Sequence, residues 1–186
     1  MLLLIYAHPH HQRSIANRVL LDAVRGVAGV QVHALYDRYP DFSIDTAHEQ
    51  ALLAKAHTIV WQHPLYWYSA PALLKLWFEV VLTRGWAYGE GGTALAGKRC
   101  QWVTTTGALD EAYGLGGVHG HPLLTFSRVI EQTARFCGMQ WQAPIVVHGA
   151  HRVGDAALQA EAQRYRERLQ ILAATPPAPD HFPTDH

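Results

Sequence analysis

Three short segments of the sequence carry residues suited to binding a phosphorylated, planar cofactor. The first starts at His8 and runs through a histidine-rich turn into Ser14, Ile15, Ala16 and Asn17, which are predicted to open a helix. The first N–H groups of a helix have no acceptor within it, and the helix dipole makes that end positive. An anion there would also meet the Ser14 hydroxyl and the Asn17 amide. The segment therefore predicts a phosphate site without a glycine-rich motif, with simple helix capping by Ser14 as the alternative.

The second segment, residues 63–71, places Tyr66, Trp67 and Tyr68 in a row between two prolines. Loops of α/β domains are normally polar and face water, so three adjacent aromatic side chains need a flat partner, either a planar cofactor or a second subunit. We expect Leu65, Tyr66, Trp67 and Tyr68 to wall a planar ring. Trp67 and Tyr68 are expected to make the main contacts, while Tyr66 turns toward a second chain.

The third segment, residues 104–108, contains three threonines followed by Gly107 and Ala108. Hydroxyl and backbone N–H groups of Thr105, Thr106, Gly107 and Ala108 could hydrogen-bond the polar edge of a ring and stabilise the charge that develops on reduction. The three segments together supply a phosphate pocket, an aromatic wall and a polar edge. That combination predicts a binding site for flavin mononucleotide (FMN).

The elements that position these segments follow from the hydrophobic pattern. Apolar runs of strand length alternate with stretches of helical period, which is typical of a parallel sheet with crossover helices on both faces. The predicted strands are residues 2–7, 31–36, 58–62, 99–105 and 144–148, and the predicted helices are residues 14–24, 46–56, 71–83, 123–137 and 155–172. The chain is thus predicted to form a doubly wound α/β domain, whose ligand would lie at the carboxyl ends of strands one, three and four.

Composition sets the outer limits. The chain has 186 residues, of which 49% are hydrophobic, and 15 basic residues balance 15 acidic ones. We expect one domain over residues 1–174 with a flexible tail over residues 175–186, and neither nucleic acid nor an anionic membrane surface as the main partner. Cys100 and Cys137 lack metal-type spacing and are predicted to be core thiols of a cytoplasmic protein. The first apolar run is too short for a membrane span and reads as a strand.

The sequence also resembles a known family, on motifs that span residues 1–172. The motifs are IYAHP at 5–9, SIAN at 14–17, YPDF at 39–42, WQHP at 61–64, WY at 67–68, LKLW at 74–77, GWAYG at 85–89 and GGTALAGK at 91–98. With them the chain resembles the flavodoxin-like NAD(P)H:quinone oxidoreductases, and most closely the ancillary quinone reductases of glutathione-regulated potassium efflux. The resemblance implies a flavodoxin-like five-stranded parallel sheet of order 2-1-3-4-5.

The resemblance also implies site residues and partners. FMN would be touched by His8, bound at its phosphate by Ser14 to Asn17, walled by Leu65 to Tyr68 and edged by Thr105 to Ala108. In the segment YGLGGVHG at 113–120, Tyr113 and His119 match the pair that assists hydride transfer in this family. NADH or NADPH would be the co-substrate and a quinone the acceptor. A homodimer is implied, with a potassium-efflux antiporter as a further partner that would bring the protein to the inner membrane as a peripheral component.

Alternatives from other functional classes stay open at this stage. The chain could act mainly as a regulatory flavin-binding subunit of the antiporter, with little turnover of its own. A metal site is not predicted, because His8, His10 and His11 lack helical i, i+4 spacing and no cysteine or carboxylate follows at a diagnostic distance. A dinucleotide-binding fingerprint is absent after strand one. A phosphoacceptor receiver domain would need acidic residues where His8 and His10 stand.

Overall fold

The structure is a computed structural model that describes residues 1–177. One parallel β-sheet forms the centre of the fold. Its strands are β1 (Leu2–Tyr6), β2 (Val30–Ala34), β3 (Thr58–Pro64), β4 (Arg99–Thr105), β5 (Gln140–Trp141) and β6 (Ile145–Val147). The order is β2-β1-β3-β4, and both β5 and β6 pair with the outer edge of β4. The predicted flavodoxin-like order 2-1-3-4-5 is therefore confirmed, with the fifth position divided into two short strands.

The division of the fifth strand was not predicted. Arg99 of β4 pairs with Gln140, but Val103 pairs with Ile145, so the outer strand holds one residue more than β4 over the same interval. Pro144 lies in this bulge and has no N–H to donate to the ladder. The Gln101 side chain fills the gap by donating to the Ala143 carbonyl at 2.7 Å.

The helices of the described chain flank the sheet on both sides. They are α1 (Ile15–Val24), α2 (Leu35–Arg38), α3 (Thr46–Lys55), α4 (Ala72–Val81), α5 (Leu123–Phe136) and α6 (Asp155–Ala174). The five predicted helices correspond to α1, α3, α4, α5 and α6. Helix α2 was not predicted, because a single turn is too short to show the helical hydrophobic period. Pro71 was predicted as the first helical residue, but it is the N-cap of α4, because its ψ of 152° is extended.

Two apolar cores lie on opposite faces of the sheet. Successive side chains of a strand point to opposite faces, so Leu3 and Ile5 enter one core and Leu2 and Leu4 the other. The first core is covered by α3, α4 and α5 and the second by α1 and α6. Burial on both faces explains why β1 is apolar along its whole length. Cys100 and Cys137 are free thiols buried in the first core, as predicted.

A buried carboxylate ties α3 to its neighbours. The Glu49 side chain accepts hydrogen bonds from His33 Nε2 at 2.7 Å, from the Tyr39 hydroxyl at 2.6 Å and from Trp77 Nε1 at 2.8 Å. Burial alone would raise the pKa of Glu49, but these hydrogen bonds outweigh it and hold the pKa below its usual value. A charge buried this deeply is tolerated because each oxygen has a donor.

The C-terminal end of the described chain lies against β4. After α6 ends, Arg99 donates to the carbonyl oxygens of Thr175 and Pro176. Residues 178–186, most of the predicted flexible tail, lie outside the described residues. No helix within residues 1–177 has both the length and the apolar character needed to cross a bilayer.

Candidate active site

A crevice at the carboxyl ends of β1, β3 and β4 brings most of the predicted site residues together. It consists of two cavities of about 230 and 220 Å³, which share Leu65 and Gly107. The first cavity is lined by the predicted residues His8, Ser14, Asn17, Leu65, Tyr66, Thr105, Thr106 and Gly107. The second is lined by Leu65, Trp67, Tyr68, Gly107, Ala108, Tyr113 and His119. Each is smaller than a typical small-molecule pocket, and the two lie side by side with Leu65 and Gly107 common to both.

Two predicted residues line neither cavity with their side chains. Ile15 is half exposed, and Ala16 is fully buried in the second core. What they can offer a ligand is their backbone N–H groups, which helix geometry leaves without intrahelical acceptors. Ser14 does cap α1, because its Oγ accepts the Asn17 N–H at 3.3 Å. The capping and phosphate-binding interpretations of Ser14 are therefore compatible.

Asn17 leaves one polar atom for a ligand. Its Nδ2 donates to Thr105 Oγ1 at 2.7 Å, while its buried Oδ1 has no hydrogen-bond partner in the described chain. An amide can turn about its last bond, exchanging the two atoms, while the Thr105 hydroxyl serves as either acceptor or donor. In one orientation Asn17 accepts from a ligand hydroxyl, and in the other it donates to an anion. Both groups occur in a flavin's ribityl phosphate.

A buried polar network holds Asn17 in place. Gln62 of β3 donates through Nε2 to the Asn17 carbonyl at 3.3 Å, and its Oε1 accepts from the Tyr165 hydroxyl of α6 at 2.8 Å. Burial raises the pKa of Tyr165 well above its ordinary value, so the phenol keeps its proton as a donor. The start of α1 is thus connected to β3 and to α6, which covers the same core as α1.

His8 is a neutral hydrogen-bond donor beside this helix start. Its Nδ1 accepts the His10 N–H at 3.0 Å, which leaves the ring proton on Nε2. Burial, with further contributions from His11, His10 and His151, lowers the pKa of His8 to about 4. The imidazole is therefore uncharged near neutral pH and can donate to a phosphate oxygen through Nε2.

The first cavity also contains residues that the sequence analysis did not identify. His10, Arg13, Ala150 and His151 line it, and Arg13 brings a permanent positive charge to the phosphate end. Ala150 and His151 follow β6. A signal for them was present, because the fifth strand of such a sheet also ends at this edge.

The aromatic segment forms a tight two-residue turn. Tyr66 and Ser69 exchange backbone hydrogen bonds of 3.0 and 2.9 Å, and the residues between them, Trp67 and Tyr68, have φ of 48° and 61°. Positive φ at both central positions is the geometry of a type I′ turn, which normally selects asparagine and glycine. Bulky residues in this conformation carry strain, which is commonest at functional sites.

The side chains of this turn are distributed differently from the prediction. Tyr66 lines the first cavity and its ring lies 6.1 Å from that of His8, so the expectation that it turns away from the site is wrong. The reason is the position of the turn: Tyr66 comes just before its two central residues and so continues the wall formed by Pro64 and Leu65. Trp67 lines the second cavity, yet 93% of it is exposed.

The loop after β4 presents two free donors. The Thr105 carbonyl accepts the Leu65 N–H at 2.8 Å, and the Thr106 N–H donates to Val147 at 3.0 Å. The N–H groups of Gly107 and Ala108, in contrast, have no acceptor among residues 1–177. Adjacent free N–H groups can stabilise negative charge on a ligand atom placed between them.

Tyr113 and His119 meet beside these donors. Their rings stack with centroids 4.5 Å apart, and the Tyr68 hydroxyl lies 3.3 Å from His119 Nδ1. His119 Nε2 is buried without a hydrogen-bond partner in the part of the chain that the structure describes. Burial raises the pKa of Tyr113 above its ordinary value, so the phenol remains a proton donor. The pair therefore offers a ligand both a phenol and an unpaired imidazole nitrogen.

Metal-ligating side chains do not converge in residues 1–177, where no group of three or more histidine, cysteine, aspartate or glutamate residues could hold an ion. The histidines after β1 are engaged separately. His8 accepts from the His10 backbone, and His11 Nδ1 lies 2.8 Å from the Tyr6 hydroxyl.

Comparison with known proteins confirms the resemblance seen in the motifs. A family model described as flavodoxin-like fold matches residues 1–169. The glutathione-regulated potassium-efflux system ancillary protein KefF of Klebsiella aerogenes is 47% identical over 169 residues, which cover 91% of this chain and 94% of that protein.

Two solved structures show how far the likeness extends. General stress protein 14 of Treponema denticola, solved in complex with FMN, is 36% identical with a TM-score of 0.86 and covers 92% of this chain and 98% of its own. An NADPH-quinone reductase from P. pentosaceus is 30% identical with a TM-score of 0.82 and covers 90% of this chain and 96% of its own. The chain therefore belongs to the family of flavodoxin-like fold proteins and is a homologue of KefF.

Proposed function

We propose that the protein binds FMN in the crevice and catalyses the two-electron reduction of quinones by NADH or NADPH. The observation that carries this proposal is the presence of unsatisfied polar groups at both ends of one crevice. Asn17 Oδ1 at one end and His119 Nε2 at the other are buried without a hydrogen-bond partner in residues 1–177. Buried polar groups are rarely left unpaired, so this pattern favours a ligand that reaches both ends.

The residues present fit FMN from end to end. The start of α1, Arg13 and the His8 Nε2–H suit a phosphate, and Asn17 suits either the phosphate or a ribityl hydroxyl. Leu65 to Tyr68 would lie along the ring, and Gly107 and Ala108 would donate to its polar edge. Support comes from the relative solved with FMN, which this chain matches over nearly its whole length.

Bound FMN would supply hydride acceptance from the nicotinamide and two-electron donation to the quinone. The chain's own residues would bind, orient and donate hydrogen bonds. Gly107 and Ala108 would stabilise the negative charge that reduction adds to the ring edge. Tyr113, kept protonated by burial, would donate to an oxygen that gains charge, and His119 Nε2 could hold or return a proton near the ring.

We further propose a homodimer in which each crevice is completed by the second subunit. Trp67, Leu115 and Val118 lie at or next to the second cavity and are all more than 85% exposed. Apolar side chains exposed together beside a cavity are typical of an interface. A second copy would cover them and narrow the entrance to the ring.

The alternative is a mainly regulatory role, in which the chain binds flavin and activates a potassium-efflux antiporter with little turnover. The observation that favours it is the 47% identity to a protein named as ancillary to a potassium-efflux system. In this role the antiporter would hold the chain at the inner membrane as a peripheral component.

The absorption spectrum of the purified protein tests the main proposal. We expect a yellow protein that retains FMN, oxidises NADH or NADPH, and reduces one quinone per nicotinamide oxidised. A colourless protein that also fails to bind added FMN would overturn both roles. A yellow protein with no quinone reduction by either nicotinamide would leave the regulatory role as the function.

A further inference from the structure

The loop after β6 is hydrogen-bonded along the length of the loop after β4. The Thr106 N–H donates to the Val147 carbonyl at 3.0 Å, the Gly149 N–H to Ala108 at 2.9 Å, and the Ala150 N–H to Thr106 at 2.8 Å. These bonds hold the backbone on both sides of Gly107. They leave the N–H groups of Gly107 and Ala108 as the free donors of the loop.

Gly149 allows the two loops to come this close. Its φ is +64°, and a Cβ at this position would lie 2.6 Å from Leu109 Cδ2. A larger residue would meet both the conformational penalty of a positive φ and this contact. The Leu109 side chain can move aside, so it is mainly the positive φ that favours glycine at position 149.

The side chain of His148, in the loop after β6, contacts the Thr106 hydroxyl in the loop after β4. The Thr106 hydroxyl donates to the Ala108 carbonyl at 2.7 Å, so toward His148, 3.1 Å away, it can only accept. The proton of that bond is therefore on His148 Nδ1. The His148 ring also lies 5.5 Å from the ring of Tyr113. His148 thus contacts both the Thr106 hydroxyl, in the loop after β4, and the Tyr113 ring.

We infer that His148 is a positioning residue, which holds the Gly107 and Ala108 donors and Tyr113 in the orientation that favours reduced over oxidised FMN. The inference rests on the proposed FMN site. The physical reason is that reduction adds negative charge to the ring edge, so well-aimed N–H groups stabilise the reduced cofactor more than the oxidised one. A loop free to turn would lose much of that difference.

Asp110 provides an internal control. Its carboxylate lies 3.2 Å from His148 Nε2, but its side chain is 81% exposed. A contact with an exposed carboxylate contributes little because water screens its charge. We therefore attribute the positioning role of His148 to the contact of its Nδ1 with Thr106, and not to the contact of its Nε2 with Asp110.

Three variants test the inference on the full chain: His148→Leu, His148→Asn and Asp110→Asn. The dissociation constant of oxidised FMN is measured by fluorescence titration, and the midpoint potential by equilibration with a reference dye. Together they give the ratio of the affinities for reduced and oxidised FMN. Circular dichroism and urea unfolding of each variant establish that it is folded.

We expect His148→Leu to lower this ratio about tenfold, which corresponds to about 30 mV for a two-electron couple. His148→Asn retains an N–H that can reach Thr106 and should restore the ratio to within about threefold of the original. Asp110→Asn should change it less than about twofold. If His148→Leu does not fold, His148→Asn and Asp110→Asn should still show these small changes.

Several outcomes would overturn the inference. An unchanged ratio in folded His148→Leu would do so, as would equal losses in the Leu and Asn variants, or a tenfold change in Asp110→Asn. A wild-type chain that binds no FMN would contradict the proposed function itself, and this inference with it. The two failures are therefore distinguished by the first titration.

Discussion

Asn17 Nδ2 donates a 2.7 Å hydrogen bond to Thr105 Oγ1, and so joins the start of α1 to the end of β4 across 88 residues of sequence. The bond fixes the distance between the phosphate end of the crevice and the loop at its polar edge. It also uses one side of the Asn17 amide, which leaves the other side to a ligand. The first prediction follows from this relationship.

Asn17→Asp should weaken FMN binding about 10- to 100-fold, because a carboxylate replaces an amide next to the phosphate and a hydrogen bond to a charged group is worth about 1.5–3 kcal/mol. The affinity for riboflavin, which lacks the phosphate, should fall much less. Fluorescence titration with both flavins provides the measurement. Ile15→Ala is the control: it lies next to the site, but its side chain lines neither cavity, so it should leave the affinity for both flavins nearly unchanged. Equal losses for FMN and riboflavin would argue against phosphate binding here.

Tyr165→Phe should lower the free energy of unfolding by about 1–3 kcal/mol, because it leaves the buried Gln62 Oε1 without a donor. FMN binding should also weaken, since Gln62 holds the Asn17 carbonyl. Urea unfolding and flavin titration measure the two effects. Gln163→Ala, on the exposed face of α6, should change neither. Loss of stability without any change in affinity would show that the network does not position Asn17.

Trp67→Asn should stabilise the fold by about 1 kcal/mol, because asparagine tolerates the left-handed conformation better than tryptophan. Little burial within the subunit is lost, since Trp67 is almost fully exposed there. The same variant should weaken FMN binding by up to about tenfold through loss of the aromatic contact. Trp67→Gln removes the ring but keeps the strain, so it should weaken binding without the gain in stability. A similar gain for both variants would contradict the role of strain.

His63 should make the fold sensitive to mild acid. Its Nδ1 lies 2.9 Å from the Pro64 carbonyl and its Nε2 accepts from Trp102 at 2.8 Å, so a second proton has no acceptor. Burial lowers the pKa of His63 to about 4, from 6.5 in the unfolded chain. The unfolded state therefore binds more protons, and the stability contributed above pH 6.5 is lost as the pH falls from 6.5 toward 4.

Between about pH 7.5 and 4.5 this loss should amount to about 2–3 kcal/mol from His63 alone. Urea unfolding at the two pH values gives the total change, which includes His8 and the carboxylates. His63→Asn removes the titrating group while retaining an acceptor and a donor, so its pH dependence should be smaller by that amount. Identical pH dependence in the two proteins would rule out the assignment to His63.

Tyr113→Phe and His119→Gln should each lower quinone reduction by about 100-fold while changing FMN affinity less than about threefold. The phenol and the imidazole nitrogen are lost, but the site around the ring remains. Steady-state assays and flavin titration separate the two effects. If the protein also activates a potassium-efflux antiporter, the variants should retain that activation. Undiminished quinone reduction in both variants would show that neither Tyr113 nor His119 takes part in the reaction.

The sequence by itself determined the fold class and most of the crevice. Strands buried on both faces are mostly apolar, so β1 and the apolar stretches of β3 and β4 stand out in the sequence. Sheet topology then brings the loops that follow them to one edge. The chemistry of these loops was readable locally: a helix start at Ser14, three adjacent aromatic residues, and a glycine after Thr106. The family motifs added the sheet order, which the comparisons confirm.

Only the tertiary structure decided which atoms meet. The contact of His148 with Thr106 spans 42 residues and that of Tyr165 with Gln62 spans 103, and such partners leave no periodicity in the sequence. The turn conformation at Trp67 and Tyr68 contradicts local preference, since bulky residues rarely adopt positive φ. The direction of Tyr66 depends on that turn. Long-range hydrogen bonds and a strained backbone are properties of the packed molecule, because they are stable only when the surrounding structure holds them in place.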